Sequence, residues 1–496
     1  MSELAERPAP TTRRRLSSAP VARLREAPAL PLLVLGCVLL AALSLILPSP
    51  PGKDPWSWII WGREVAHLDL DTMSGSSWKP LPVLFTTVFS LFGDSVAPGL
   101  WLVVVRAGAL LAVAFAYRIA ARYVGIAGGI VAGVGVALAA WPRYVAQGNV
   151  EPLSAALVLA AVDRHLNGHR HQTMLLGALA ALGRPELWPF LALYVLFVFF
   201  RRGTSKPVAI VLLLVVPALW LGGDYWGSGD PFHGSKRAAG TKERAEKRHK
   251  RLVEKAHEAG QPPPPSNESS AVSHTVGGAR HLLIFPVYLA ALAGLGFAAW
   301  RRERAPLVMA AAAAALFGVV AAMALFGYGG SPRFLFPAIG LVCVLAGLGV
   351  GWLLKLLGER ARAAAVALGV VLLAASVPYT LDRLDEFSTE GDLLTLRDDL
   401  QSDLHTVIQK VGPARIRAVG EPNTPGEFAH QLAWETHVHL EDVGGGEPPA
   451  VVFTGPTGAF AANPLPTQGV RVTLLGSARI WKAYEVLPAR GGRKRR

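Results

Sequence analysis

"KPLPVLFTTVFSLFG", residues 79–93, decides how the rest of the chain is threaded. From Pro80 to Gly93 it is apolar, yet about 14 residues fall short of the roughly 20 that a helix needs to cross a hydrocarbon core. A helix of that length lies along an interface or re-enters from one side. Reading it as a crossing would reverse the side of every later loop. The cation at its start, Lys79, stands against two prolines with strongly apolar sequence on both sides.

Longer runs flank it. "ALPLLVLGCVLLAALSLILP" (29–48) has crossing length. Hydrophobic residues make up 52% of the chain and charged residues 17%, a balance that excludes an ordinary soluble enzyme. Spans are expected near 28–48, 98–117, 124–141, 150–163, 171–183, 186–200, 207–222, 281–300, 306–326, 333–356 and 363–379. Equally hydrophobic runs follow the first, so it does not read as a cleaved signal peptide.

Charge tests this threading. The N-terminal tail, 1–27, carries Arg13, Arg14, Arg15, Arg23 and Arg25 and is expected in the cytoplasm. Alternate loops then share its side: Arg118 and Arg122; Arg164 and Arg170; Arg201, Arg202 and Lys206; Arg301, Arg302 and Arg304; Lys355, Arg360 and Arg362. All are basic, and counting 80–93 as a span breaks the alternation at Arg118. One loop opposes the rule. Residues 223–280 are expected outside, although 236–255 holds nine Lys or Arg and three Glu. Long loops obey the rule weakly, so the parity stands. "TKERAEKRHKRLVEKAHEAG" (241–260) reads as a charged helix at the headgroups, and "QPPPPSNESS" (261–270) as a flexible linker.

The net charge of +14 could suggest nucleic acid, but no aromatic-interleaved basic motif or zinc-finger spacing accompanies it. Membrane lipids are the expected partner of these cations. Cys37 and Cys343 lie in apolar runs and read as small hydrophobes, not as a disulfide or metal site.

The last span is expected to deliver the C-terminus outside. "DDLQSDLHTVIQKV" has helical periodicity, while "ARIRAVG", "AVVFTG", "VRVTLLG" and "RIWKAYEVL" read as short strands. The expected fold is therefore mainly α: a polytopic membrane helix bundle over 28–379 with a small extracytoplasmic α/β domain over 385–490. Residues 491–496 form a basic tail. The end domain shows no Gly-rich phosphate loop or catalytic triad.

The unusual polar residues fall in the loops expected outside, 49–97, 141–152, 183–189, 222–235 and 326–334, so a site is expected there. Asp54 follows the first span. Burial at a membrane surface raises a carboxyl pKa and suits it as a base; Asp followed by Pro also suits a helix cap for "PWSWIIWGREVAHL". On that helix Trp58 and Trp61 read either as interface belt residues or as platforms for a sugar face. Glu64, Asp69 and Asp71 are candidates for a second acidic role, with solvated surface charge as the alternative for the last two. Lys79 reads as a phosphate ligand or as a snorkelling lysine. Glu151 and Glu186 stand at outer span ends beside Arg143 and Arg184; Arg184 and Glu186 are placed to pair. Arg333 starts a late span and can supply a second phosphate clamp.

The order of these features resembles a known family: a first span, an acidic residue, an aromatic helix, Lys79-Pro80-Leu81-Pro82 before a short apolar helix, and a late Ser331-Pro332-Arg333-Phe334-Leu335-Phe336-Pro337. It is similar to the GT-C glycosyltransferases that use polyprenyl-phosphate sugars, especially the protein mannosyltransferase and aminoarabinose transferase group. The likeness covers 28–379. Two positions depart from it: Asp54 is followed by Pro55 where the family often has Asp-Glu, and KPLP stands for KPPL. The Ala- and Arg-rich composition resembles that of actinobacterial envelope proteins. The resemblance implies an inverting glycosyltransferase of the plasma membrane. Its donor would be a polyprenyl-phosphate hexose or pentose, and its acceptor an envelope glycan, lipid or protein. Asp54 would be the base, Lys79 and Arg333 the phosphate ligands, and Glu64, Glu151, Arg184 and Glu186 further substrate-binding residues. No cofactor, nucleotide site or metal is implied. A transporter or flippase, and a non-catalytic envelope scaffold, are the rival readings; no internal repeat supports the first, and the second leaves the loop charges without a reason.

Overall fold

The structure, a computed structural model, describes residues 29–200, 206–240, 277–358, 361–445, 447–455 and 468–489, with positions 250, 253, 254, 275, 465 and 466 between them. The basic tails, the Pro/Ser linker and nearly all of the expected headgroup helix lie outside the described residues.

The helices in chain order are α1 (Ala29–Leu43), α2 (Lys53–Ala66), α3 (Pro80–Ser90), α4 (Ala97–Val124), α5 (Ile126–Ala137), α6 (Pro142–Ala146), α7 (Glu151–Leu166), α8 (Arg170–Gly183), α9 (Trp188–Phe199), α10 (Lys206–Ser228) and α11 (His233–Ala239). They continue as α12 (Phe285–Trp300), α13 (Arg304–Leu325), α14 (Phe336–Gly358), α15 (Arg362–Val411), α16 (Pro413–Val419) and α17 (Ala429–Thr436). Short 3-10 turns at Pro185–Leu187 and Pro332–Leu335 lead into α9 and α14.

This is a membrane protein with a helical bundle. Each of the eleven expected spans has a helix, but the count is not settled by length. Among the described residues, five helical stretches are long and apolar enough to cross alone: Ala97–Val124, Lys206–Ser228, Arg304–Leu325, Pro332–Gly358 and Arg362–Val411. Five more apolar helices are shorter, Pro80–Ser90 among them. α7 and α8 carry charges and run 16 and 14 residues.

α14 is the bundle's centre, buried along most of its length. Small residues make this possible. Gly347 meets the backbone of Gly128 on α5, and Gly349 meets Gly294 on α12. Without side chains at these crossings the helix backbones approach closely, as in small-residue packing within membranes. Arg106, in the middle of α4, is buried because it donates to the Ser44 carbonyl at 2.7 Å and the Ser49 hydroxyl at 3.0 Å, tying down the end of α1.

α15 serves two environments. Val366, Val370, Leu373 and Val377 are exposed, which suits lipid, whereas Leu400, Leu404, Val407, Ile408 and Val411 are buried at helical spacing. That second half packs on a four-stranded sheet of β1 (Glu421–Asn423), β2 (Ala450–Thr454), β3 (Val470–Ser477) and β4 (Lys482–Pro488), in the order β1-β2-β4-β3. β1 and β2 are parallel and the other pairs antiparallel. One uninterrupted helix thus runs across the expected boundary between bundle and end domain. Ala433, Trp434 and Leu440 enter the bundle's own core. The expected strand at 414–420 is instead α16. Pro413 supplies a ready first helical turn and Gly420, at φ 153°, ends it.

α3 lies against α2 as the short helix expected. Leu81, Val83 and Thr86 are buried, while Leu84, Phe85 and Val88 are exposed. The Thr86 hydroxyl donates to the Trp58 carbonyl at 2.7 Å. At Gly62 a β-carbon would run into the Thr86 side chain and backbone. Gly62→Ala is therefore expected to push α3 off α2 and cost about 1–3 kcal/mol, read as a lowered thermal midpoint in detergent.

Candidate functional site

The loop ends of α2, α3, α7, α8 and α14 bring one chain of charges together. Asp54 sits in the first turn of α2, whose N-cap is Gly52; no side chain caps the helix, so Asp54 is not the cap expected from its sequence. Its Oδ2 accepts from Arg333 at 2.7 Å and its Oδ1 from the Ser76 hydroxyl at 2.7 Å. Arg333, on the 3-10 turn before α14, also donates to Asn149 Oδ1 at 2.9 Å and lies 3.4 Å from Glu151 Oε1. Glu151, at the start of α7, accepts from Arg184 at 3.0 Å. Arg184, just past α8, grips Glu186 through two bonds of 2.7 and 3.1 Å. The Phe334 ring stacks beneath the Arg184 guanidinium at 3.8 Å.

Burial gives this chain its weight. Glu151, Arg184 and Glu186 are 1–4% exposed, and Asp54 and Arg333 are open at 23% and 22%. Buried ions are tolerated when they are paired and hydrogen-bonded, and these are. Glu151 Oε2 alone has no partner among the described residues.

Lys79 completes the group. It is the N-cap of α3, extended at φ −142°, with Pro80 opening the helix behind it. It is 5% exposed, and its Nζ lies 4.6 Å above the Trp58 ring. Trp58 is fixed in turn by a bond to the Ser77 carbonyl and by edge contact with Trp101. No carboxylate pairs with Lys79 among the described residues. Burial and the neighbouring Arg184 charge, only partly offset by Asp54 and Glu151, push its pKa down to about 8.

Asp54 goes the opposite way from expectation. Burial alone would raise its carboxyl, but Arg333, Lys79 and the Ser76 hydroxyl outweigh burial and hold it well below the usual carboxylate range. In this arrangement it is a firmly ionised anion.

Six of the seven expected site residues therefore meet: Asp54, Lys79, Glu151, Arg184, Glu186 and Arg333. Glu64 does not. Ten residues along α2 place it about 15 Å away on the helix axis. There its Oε2 accepts from the Asp71 amide at 3.1 Å and its Oε1 contacts His439 at 2.9 Å. His439 also meets Asp69 at 3.2 Å. Nearby, Arg63 donates to the Trp434 carbonyl at 2.7 Å and covers its ring at 4.3 Å. This second cluster fastens the C-terminal segment to α2. Sequence reasoning missed Ser76 and Asn149, although both stand within three residues of chosen positions. Among the described residues, no three His, Cys, Asp or Glu are grouped to hold a metal.

No protein-family model and no curated protein matches the chain. Among solved structures it is similar to ArnT from Cupriavidus metallidurans bound to undecaprenyl phosphate, with 14% identity and a TM-score of 0.51 over 93% of this chain and 98% of that one. The apo state of the same protein gives 14% and 0.46 over the same shares. An Archaeoglobus fulgidus oligosaccharyltransferase tethered with an acceptor peptide gives 14% and 0.43, over 82% of this chain and 63% of that one. With ArnT bound to undecaprenyl phosphate the alignment runs along nearly the whole of both chains, so this chain shares the fold of that ArnT structure.

Proposed function

We propose that this membrane protein moves a hexosyl or pentosyl unit from a polyprenyl-phosphate donor to a cell-envelope glycan, lipid or protein, on the outer side of the plasma membrane. Lys79 carries the reading. A buried ammonium without a carboxylate partner is costly, and a phosphate at the lip of the bundle is the anion that would repay it. The shared fold with ArnT, whose structure holds undecaprenyl phosphate, supports a lipid-linked donor.

In this reading the acceptor oxygen attacks the anomeric carbon. The bond from that carbon to the phosphate oxygen breaks, and its electron pair leaves with the phosphate. The acceptor's proton passes to Asp54, and attack opposite the leaving group inverts the carbon. Lys79 and Arg333 stabilise the charge that grows on the phosphate. Arg184 is held by Glu151 and Glu186 and adds positive field beside Lys79.

The Asp54–Arg333 pair gives the donor a second role. While Arg333 holds Asp54, the carboxylate is a weak base. A donor phosphate competing for Arg333 would loosen that hold, and burial would then raise the proton affinity of Asp54. Donor arrival and base activation are thereby coupled.

Two outcomes follow for the purified protein. With radiolabelled polyprenyl-phosphate sugars, Asp54→Asn is expected to lower transfer by about 10²–10⁴-fold; transfer equal to wild type removes Asp54 as the base. The second concerns pH. Lys79 is charged below about 8 and loses its charge as pH rises through that value. Undecaprenyl-phosphate affinity should therefore fall between pH 7 and 9, and Lys79→Arg should flatten the fall because a guanidinium stays charged. A fall of the same size in the variant would assign it to another group.

A further inference from the structure

His439 stands between two acids, one at each ring nitrogen. Its Nδ1 lies 2.9 Å from Glu64 Oε1 on α2, and its Nε2 lies 3.2 Å from Asp69 Oδ2 on the loop that follows α2. Glu64 is buried and Asp69 is exposed. A neutral imidazole has one donor and one acceptor, and only the imidazolium has a proton on both nitrogens. Two carboxylates at once are therefore served by the charged ring alone. Without its second proton, one of them faces a lone pair.

These contacts hold more than a side chain. The next residue, Leu440, is buried, and a β-carbon at Gly75 would lie 3.0 Å from the Leu440 side chain. Gly75 precedes Ser76, whose hydroxyl donates to Asp54 at 2.7 Å. α17, just before His439, reaches the start of α2 by another route. Gln431 donates to the Gln401 carbonyl at 2.8 Å, and Gln401 donates to the Pro51 carbonyl at 3.0 Å. The C-terminal segment thus touches both the loop that supplies Ser76 and the chain that leads into Asp54.

The charges nearby divide between two histidines. Burial alone would lower His439, but the Glu64 hydrogen bond and charge, then Asp69 and Asp71, outweigh it and raise the ring above its ordinary value. Burial also raises Glu64, against the Asp71 amide, His439 and Arg63. A group raised in the closed form stabilises that form at low pH, and the contribution is lost as pH rises through its value. Glu64 and His439 therefore act with the same sign. His437 has the opposite one: burial and then Arg63, Arg417 and His67 lower it, against Asp94 at 3.1 Å.

We propose that His439 is a pH-sensitive latch on the C-terminal segment. As an imidazolium it ties that segment to α2 and to the loop beside Ser76, and on losing a proton as pH rises it releases them. Its regulatory role rests on the glycosyltransferase reading. Its opening is read as a distance and not as transfer, so the latch and that reading fail separately.

The test uses the full chain in detergent. Nitroxide labels on Ile46→Cys and Glu441→Cys, both exposed positions, report the distance from the bundle to the segment, while Cys37 and Cys343 are buried. One narrow distance is expected at pH 6 and a longer population at pH 9. The closed-to-open ratio should fall about tenfold, the worth of one hydrogen bond to a charged group. His439→Gln should show the longer population at both values. His439→Arg, which stays charged, should keep the narrow distance at both; it also decides the matter should the Gln variant unfold. His437→Asn should leave the wild-type response in place. An unchanged distance in wild type between pH 6 and pH 9, or a pH response that survives in either His439 variant, would overturn the latch. Loss of the response in His437→Asn would overturn it in favour of that histidine.

Discussion

The structure depends on a run of buried charge that no single helix could keep. Asp54, Arg333, Glu151, Arg184 and Glu186 are linked end to end, and every link but the last, Arg184 to Glu186, joins distant parts of the chain. Moving an ion out of water costs several kcal/mol even after the protein relaxes, so each member is tolerable only while its neighbours stand within hydrogen-bond reach. Losing the position of α7, α14 or the end of α8 would strand a charge in an apolar surround. The close glycine crossings at Gly128, Gly294, Gly347 and Gly349 fix α14, whose leading turn carries Arg333. The pairing also sets the chemistry. Three carboxylates face two guanidiniums, and the remaining cation, Lys79, is held over an aromatic ring instead of an acid.

The C-terminal segment is part of the same construction. α15 passes from an exposed apolar half to a half whose buried stripe packs on the sheet, so bundle and end domain are joined by a rigid rod. Asp403 on that rod accepts the Ile480 and Trp481 amides at 2.7 and 2.9 Å, which locks the turn before β4. α17 then lies against α2, with Arg63 and Trp434 as the clasp. A segment that reads as a separate appendage from composition thus reaches the helix that bears Asp54.

Much of this was legible. Each expected span coincides with a helix, because a hydrocarbon solvent requires every backbone group to be bonded within its own helix, although the last helix runs on to Val411, far past the expected end at 379. Lys79 stands out because a cation just before two prolines, in strongly apolar sequence, needs a reason. The errors share one cause, which is local pattern standing in for three-dimensional contact. "ARIRAV" alternates like a strand, but Pro413 opens and Gly420 ends a helix of about two turns that packs against α17. Asp54 before Pro55 looks like a cap, yet Arg333 offers it a full charge, which outcompetes a backbone amide. Glu64 shares a helix with Asp54 and points to another cluster.

The sequence by itself determined a membrane-embedded helical protein, the short helix behind Lys79, and the loops from which charged residues would be drawn, since hydropathy and length act over neighbouring residues. Which of those charges meet was decided only by the tertiary structure. Ion pairing is a matter of a few ångströms between side chains, and Asp54 and Arg333 stand 279 positions apart in the chain. Their partnership reversed the expected pKa of Asp54 and left Lys79 without a carboxylate partner among the described residues, because electrostatic fields follow distance and burial and not sequence order.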